Sequence, residues 1–182
     1  MIKNTDFESY PYRYIQSKSP NSDDACDKIR LYRFKSLKTK KIYIVRVEEY
    51  PNNTFVPKFF LKDHSSSSRK YKLLTHTKEP RKIIQTCMNI MFDILADNKF
   101  ASFAFVGARS ENEEQSVFGS KRWRVYSILM KTYISDEKFI HLDIKEINGY
   151  VVLNKNQYEI DNQLKEKIEL MFKERIDIFE LY

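Results

Sequence analysis

The residues with the clearest chemical potential stand in a row, Lys121-Arg122-Trp123-Arg124, directly after Ser120. Ser120 reads as the N-cap of a helix running through Ile134, because a serine hydroxyl can accept a backbone N–H two or three residues on. Three cations then occupy the first helical turn. The helix dipole already places partial positive charge there, and acidic residues are the favoured choice; each uncompensated cation costs ~0.3–1 kcal/mol. A bound anion reverses the sign, since backbone N–H groups, dipole and arginine forks then act on it together. Arg109, at the end of the preceding strand, can reach the same place. Arg109, Ser120, Lys121, Arg122 and Arg124 therefore form a candidate anion site. A competing reading is internal. Glu111, Glu113 and Glu114 lie in the intervening loop and could pair with these cations, closing the loop over the helix start.

A second constellation lies near the front of the chain. If Ile29-Arg30-Leu31-Tyr32-Arg33-Phe34-Lys35 is a strand, Arg30, Tyr32 and Phe34 share one face. Lys40, Lys41, Tyr43 and Arg46 continue the interleaving of rings and cations. Sheets that bind single-stranded nucleic acid combine cations for phosphates with exposed rings for base stacking. Arg30, Tyr32, Lys40 and Lys41 join the candidate contacts on that ground. The alternative is a core role, with the rings turned inward and the cations edging the sheet. The glycine-bearing signature of the common RNA-binding sheet is not present.

Other chemistries find less support. His64, His76 and His141 have no ligand at close helical or loop spacing, and there is no C-x-x-C, so no metal or cofactor is expected. Cys87 falls on an apolar helical stripe, where a buried reduced thiol is the expectation, whereas reactive thiols sit in exposed electropositive surroundings. No carboxylate pair stands out as an acid and base. The three glycines, Gly107, Gly119 and Gly149, are too few and too scattered for a dinucleotide fingerprint or a P-loop. No residue pattern identifies a catalytic reaction.

Charge is uneven along the 182 residues. Residues 1–82 carry 19 Lys+Arg against 9 Asp+Glu, and residues 83–182 carry 13 against 16. The front half is thus basic within a chain of net charge +7. This points to a partner of negative charge, either nucleic acid or an acidic protein. No apolar run approaches the ~20 residues needed to span a bilayer, and the N-terminus has no apolar core of a secretory signal. A cytoplasmic protein with no membrane partner is expected; the oligomeric state has no signature.

The elements that must hold these residues alternate in character. Tyr10 to Gln16, Ile29 to Lys35, Ile42 to Glu48 and Thr54 to Lys62 read as an antiparallel β-meander, with a hairpin across SLKTKK. Pro57 cannot donate to a ladder, which assigns its strand to an edge or a bulge. Tyr71 to Leu74 reads as a short strand. Pro80 opens a helix whose stripe is Ile83, Ile84, Cys87, Met88, Met91, Ile94 and Leu95, with Asn98 as a left-handed stop. Ala101 to Val106 is a buried strand. After the second helix, Phe139 to Ile144 and Tyr150 to Leu153 flank Asn148-Gly149 as a hairpin, and Asp161 caps a last helix bearing Leu164, Ile168, Met171, Phe172 and Phe179. The sum is one α+β domain over residues 1–182, with helices packed on an antiparallel-rich sheet.

The stretch from Pro80 to about Ile134 resembles small uncharacterised bacterial α+β proteins. The likeness rests on an amphipathic helix, then ASFAFVGARS, then SKRWRVYSILM. It implies fold and bacterial origin and carries no activity. Taken together, the residues favour a non-catalytic binding module engaging nucleic acid or a phosphate-bearing partner through a basic face. The alternative is a protein-interaction subunit, such as an accessory, antitoxin or immunity component, whose basic face meets an acidic protein.

Overall fold

A computed structural model describes residues 8–73, 79–107, 120–144 and 148–176. Seven strands form one sheet in the order β1-β2-β3-β4-β5-β7-β6. The front of the chain supplies an antiparallel meander of β1 (Tyr12–Lys18), β2 (Lys28–Lys35), β3 (Ile42–Tyr50) and β4 (Thr54–Leu61). β5 (Ser102–Val106) lies parallel to β4, and β6 (Phe139–Ile144) and β7 (Gly149–Asn154) complete the sheet as an antiparallel hairpin. A parallel pair requires a crossover. Here it is α1 (Pro80–Asp97), with Pro80 in its first turn, where a missing N–H removes nothing.

Helices cover both faces. α1 and α2 (Lys121–Tyr133) pack on one face, where Tyr32, Phe34, Tyr43, Val45, Phe103 and Tyr150 meet Ile83, Cys87, Met88, Met91, Ile94 and Met130. Fully burying each large apolar side chain contributes ~1.5–3 kcal/mol, so α1 is held by packing rather than by propensity. The short α3 (Lys155–Tyr158) follows β7, and α4 (Leu164–Met171) covers the other face through Leu164, Ile168 and Met171, joined by Phe172 of the π-helical turn Phe172–Ile176. Among the described residues no helix is long and apolar enough to cross a membrane.

The α+β class and element order agree with the reading of the sequence; four details differ. β4 is an interior strand, yet its ladder with β5 stops at Phe55, two residues before Pro57. The proline is tolerated because its β5 side is already open. Tyr71–Leu73 is a series of turns rather than a strand, and Leu74 lies outside the described residues. Asn98 ends α1 in an extended conformation (φ −130°), not a left-handed one, with its N–H on the Ile94 carbonyl and its side chain bonded to Asn53 and to the N–H of Phe100. α4 starts after Gln163 rather than Asp161, whose carboxylate accepts from the Gln163 N–H and pairs with Lys167 at 2.6 Å. Phe179 lies outside the described residues, as do Arg109 and the loop carboxylates Glu111, Glu113 and Glu114.

Candidate anion-binding pocket

The parallel pair creates the cavity. β4 and β5 are paired only at Thr54–Ser102 and Phe55–Phe103, so their C-terminal ends separate. In open sheets with parallel strands, ligand sites form in the crevice beyond the carboxyl ends of such strands. A pocket of about 380 Å³ fills the gap, lined by Pro57 to Phe60 of β4, residues 68–73, the start of α1, the end of β5 and the first turns of α2. Six lining side chains are cationic: Lys58, Arg69, Lys70, Lys72, Lys121 and Arg122. No carboxylate is among the described lining residues. The rest of the wall is mainly apolar, with Phe59, Ile83, Phe105, Val125 and Tyr126 prominent.

α2 is fixed against β5 by a set of contacts around Gly107. The Ser120 hydroxyl accepts the Trp123 N–H at 3.0 Å and donates to the Gly107 carbonyl. The Ser120 N–H goes to the Asn148 side chain at 2.8 Å, and the Trp123 indole N–H reaches the Gly149 carbonyl at 3.1 Å. Glycine is required at 107 for space: a Cβ there would lie 2.4 Å from the Trp123 backbone nitrogen. The N-cap expected of Ser120 is present, but the residue is 1% exposed and its hydroxyl is occupied in both directions. Ser120 thus positions the cations and has no free group for an anion.

Arg122 has a different use from the one its position suggested. Its guanidinium donates to three backbone carbonyls, those of Tyr71, Lys72 (3.0 Å) and Leu73 (3.2 Å). One planar fork thereby ties residues 71–73 to α2 as a wall of the pocket, and those carbonyls receive a guanidinium where a strand would have received a ladder. A cation bonded to neutral carbonyls keeps its charge. Lys70 behaves similarly, lying over the Phe60 and Tyr71 rings at 5.2 and 5.5 Å. Lys121 lines the pocket; Arg124 does not.

Beneath this wall, on the α4 face of the sheet, lies an ionic network. Glu48 pairs with Arg46 at 2.8 Å and Lys58 at 3.1 Å and accepts from the Tyr50 hydroxyl at 3.0 Å, while Arg46 also binds Asp24. Burial pushes the nearby Tyr71 phenol up to about 12, so it is a neutral donor near pH 7. Among the described residues its hydroxyl has no hydrogen-bond partner.

The other candidate residues divide in two. Tyr32 is 7% exposed beneath α1, so its ring is not presented for stacking. Arg30 is ion-paired to Glu49 and lies over the Phe55 ring. Lys40 and Lys41 are exposed in the β2–β3 loop, where Lys40 adopts a left-handed φ of 60°. That loop is at the pocket's end of the sheet. Tyr43, just after it, pairs with Leu61 at the end of β4, and Ser36 bonds to Glu79, which immediately precedes α1. Glu79 is buried and takes a further bond from the Tyr10 hydroxyl at 2.5 Å. The opposite end carries Asp27, just before β2, and Glu49 near the end of β3. Folding thus gathers cations from both halves of the chain at one end. Lys58, Arg69, Lys70 and Lys72 line the pocket and are not among the sequence candidates; for the last three, the density of cations in KDHSSSSRKYK was the available signal.

Both cysteines are buried, and burial raises both thiols, Cys87 to about 12. No three His, Cys, Asp or Glu side chains converge as a metal site among those residues. A shallower hollow beside edge strand β6 includes His141, whose ring nitrogens are engaged by the Tyr150 hydroxyl and the Ile134 carbonyl. Comparison with family models, curated proteins and solved structures finds no match to the chain.

Proposed function

We propose that this protein is a non-catalytic binding module that engages nucleic acid, or another phosphate-bearing partner, through the basic end of its sheet. The observation that carries the reading is the pocket between β4 and β5, with six cationic side chains among its described lining residues, of which Lys58 is paired to Glu48 beneath the wall. Lys40 and Lys41 extend the same positive field outward from the hairpin loop. The concave, cation-ringed shape favours a phosphate group over a flat acidic protein surface. Burial raises both cysteine thiols, away from the exposed, electropositive setting of a reactive one.

Anisotropy of a labelled single-stranded oligonucleotide, titrated with protein at several salt concentrations, tests the proposal. Log affinity should fall linearly with log salt, because bound phosphates release counterions. Lys40→Glu with Lys41→Glu should weaken binding and flatten the slope, while changing stability by less than ~0.5 kcal/mol. Absence of binding at low salt would overturn the proposal and leave the basic end as a surface for an acidic protein.

A further inference from the structure

We infer that the pocket accepts one nucleotide unit, a flat ring joined to a phosphate, with the ring seated on the apolar wall and the phosphate at the cationic rim. The inference rests on the phosphate-binding reading above and names the ligand class for its pocket. Two observations separate a nucleotide from a bare phosphate. First, cations are only part of the lining. Phe59 and Tyr126 bring two half-buried aromatic rings to the same cavity, with the buried Phe105 behind Tyr126 at 5.8 Å between centroids. An inorganic anion would leave that wall in contact with water. A base would cover it, and stacking on aromatic side chains is how proteins hold single nucleotides without reading their sequence.

Second, size and charge agree. At about 380 Å³ the cavity is near the lower end of the range for ligand sites, ~300–1,000 Å³, with room for one nucleotide and not for two. Carbonyls and rings hold two of the lining cations: Arg122 bonds to the backbone of residues 71–73, and Lys70 lies over Phe60 and Tyr71. Positive charge is therefore fixed beside the apolar wall before any ligand arrives, which lowers the ordering cost of binding.

The shared chemistry has two sources, a free nucleotide and the phosphorylated end of a strand. Calorimetry on the full chain with adenosine monophosphate, cytidine monophosphate and ribose 5-phosphate tests the ligand class. Both nucleotides should bind about tenfold or more tightly than ribose 5-phosphate, the fold-change expected from stacking one base. Tyr126→Leu should bring the nucleotides close to ribose 5-phosphate and leave the latter's affinity unchanged. Val125→Glu, at a 41% exposed pocket position, should weaken all three. A 5′-phosphorylated trinucleotide binding more tightly than both its 5′-hydroxyl form and the mononucleotides assigns the site to strand ends; affinity equal to the mononucleotide assigns it to free nucleotides. Equal affinity for nucleotides and ribose 5-phosphate would overturn the nucleotide inference and leave the phosphate reading standing. Salt-dependent oligonucleotide binding without binding of any monomer would remove the pocket as the seat. Failure of monomers and oligonucleotides alike would remove both readings.

Discussion

Removing the Arg122 side chain should open the pocket from one side. Three carbonyls, of Tyr71, Lys72 and Leu73, depend on its guanidinium, and the segment that carries them connects β4 to α1. Hydrogen bonds to charged groups contribute ~1.5–3 kcal/mol each, but these three share one donor group, and the released carbonyls can turn to water. A total of about 2–3 kcal/mol is expected for Arg122→Ala. For a chain of this size each kcal/mol moves the melting temperature by ~2–4 °C, so the midpoint should fall by about 5–10 °C. Arg122→Lys should recover only part of that, since an ammonium is a point charge without the planar fork. Trypsin provides the local readout: Arg69, Lys70 and Lys72 are cleavage sites on the tethered segment, and early cleavage there should accelerate in Arg122→Ala. An unchanged melt together with unchanged cleavage at these sites would refute the clamp.

Three other perturbations have defined outcomes. Gly107→Ala places a methyl 2.4 Å from the Trp123 backbone and strains the Ser120 cap; a loss of ~2–4 kcal/mol is expected in chemical denaturation, and a variant as stable as the parent would contradict the close approach. His141 is held below its ordinary pKa chiefly by burial, with its Nε2–H on the Ile134 carbonyl and Nδ1 accepting from Tyr150, so its contribution is intact above pH ~6.5 and is lost as pH falls through the lowered folded value. His141→Gln should flatten the decline in urea midpoint between pH 7 and 5, and an unaltered slope would exclude this origin. Met91→Asp puts a charge at a fully buried position of α1 and should cost several kcal/mol or unfold the chain, as followed by a thermal melt.

Much of the fold was legible because periodicity reports burial. The α1 stripe, the alternation in β2 and β3 and the continuous run of β5 each record which faces lie in the core. Less legible were features set by tertiary contact. Pro57 argued for an edge, and only the early end of the β4–β5 ladder explains an interior strand that tolerates it. Residues 71–73 have strand-like side chains, but their carbonyls face a guanidinium fifty residues away in the chain. The cationic first turn of α2 was legible as a broken rule, whereas its principal use, holding a wall together, was not. Tyr32 matched the pattern of a stacking ring, and sequence alone could not say that α1 covers that face. The pocket itself depends on cations contributed by β4, the segment after it and α2, a convergence that no local window contains.

The central claim is that a phosphate-bearing ligand enters between β4 and β5. The most direct test is an amide-shift map by two-dimensional NMR on the isotope-labelled chain, titrated with a nucleoside monophosphate at low salt. The account predicts saturable shifts confined to residues 58–60, 69–73, 105–106 and 121–126, reversed by added salt. Shifts centred on another face, or none at ligand concentrations in the millimolar range, would contradict it.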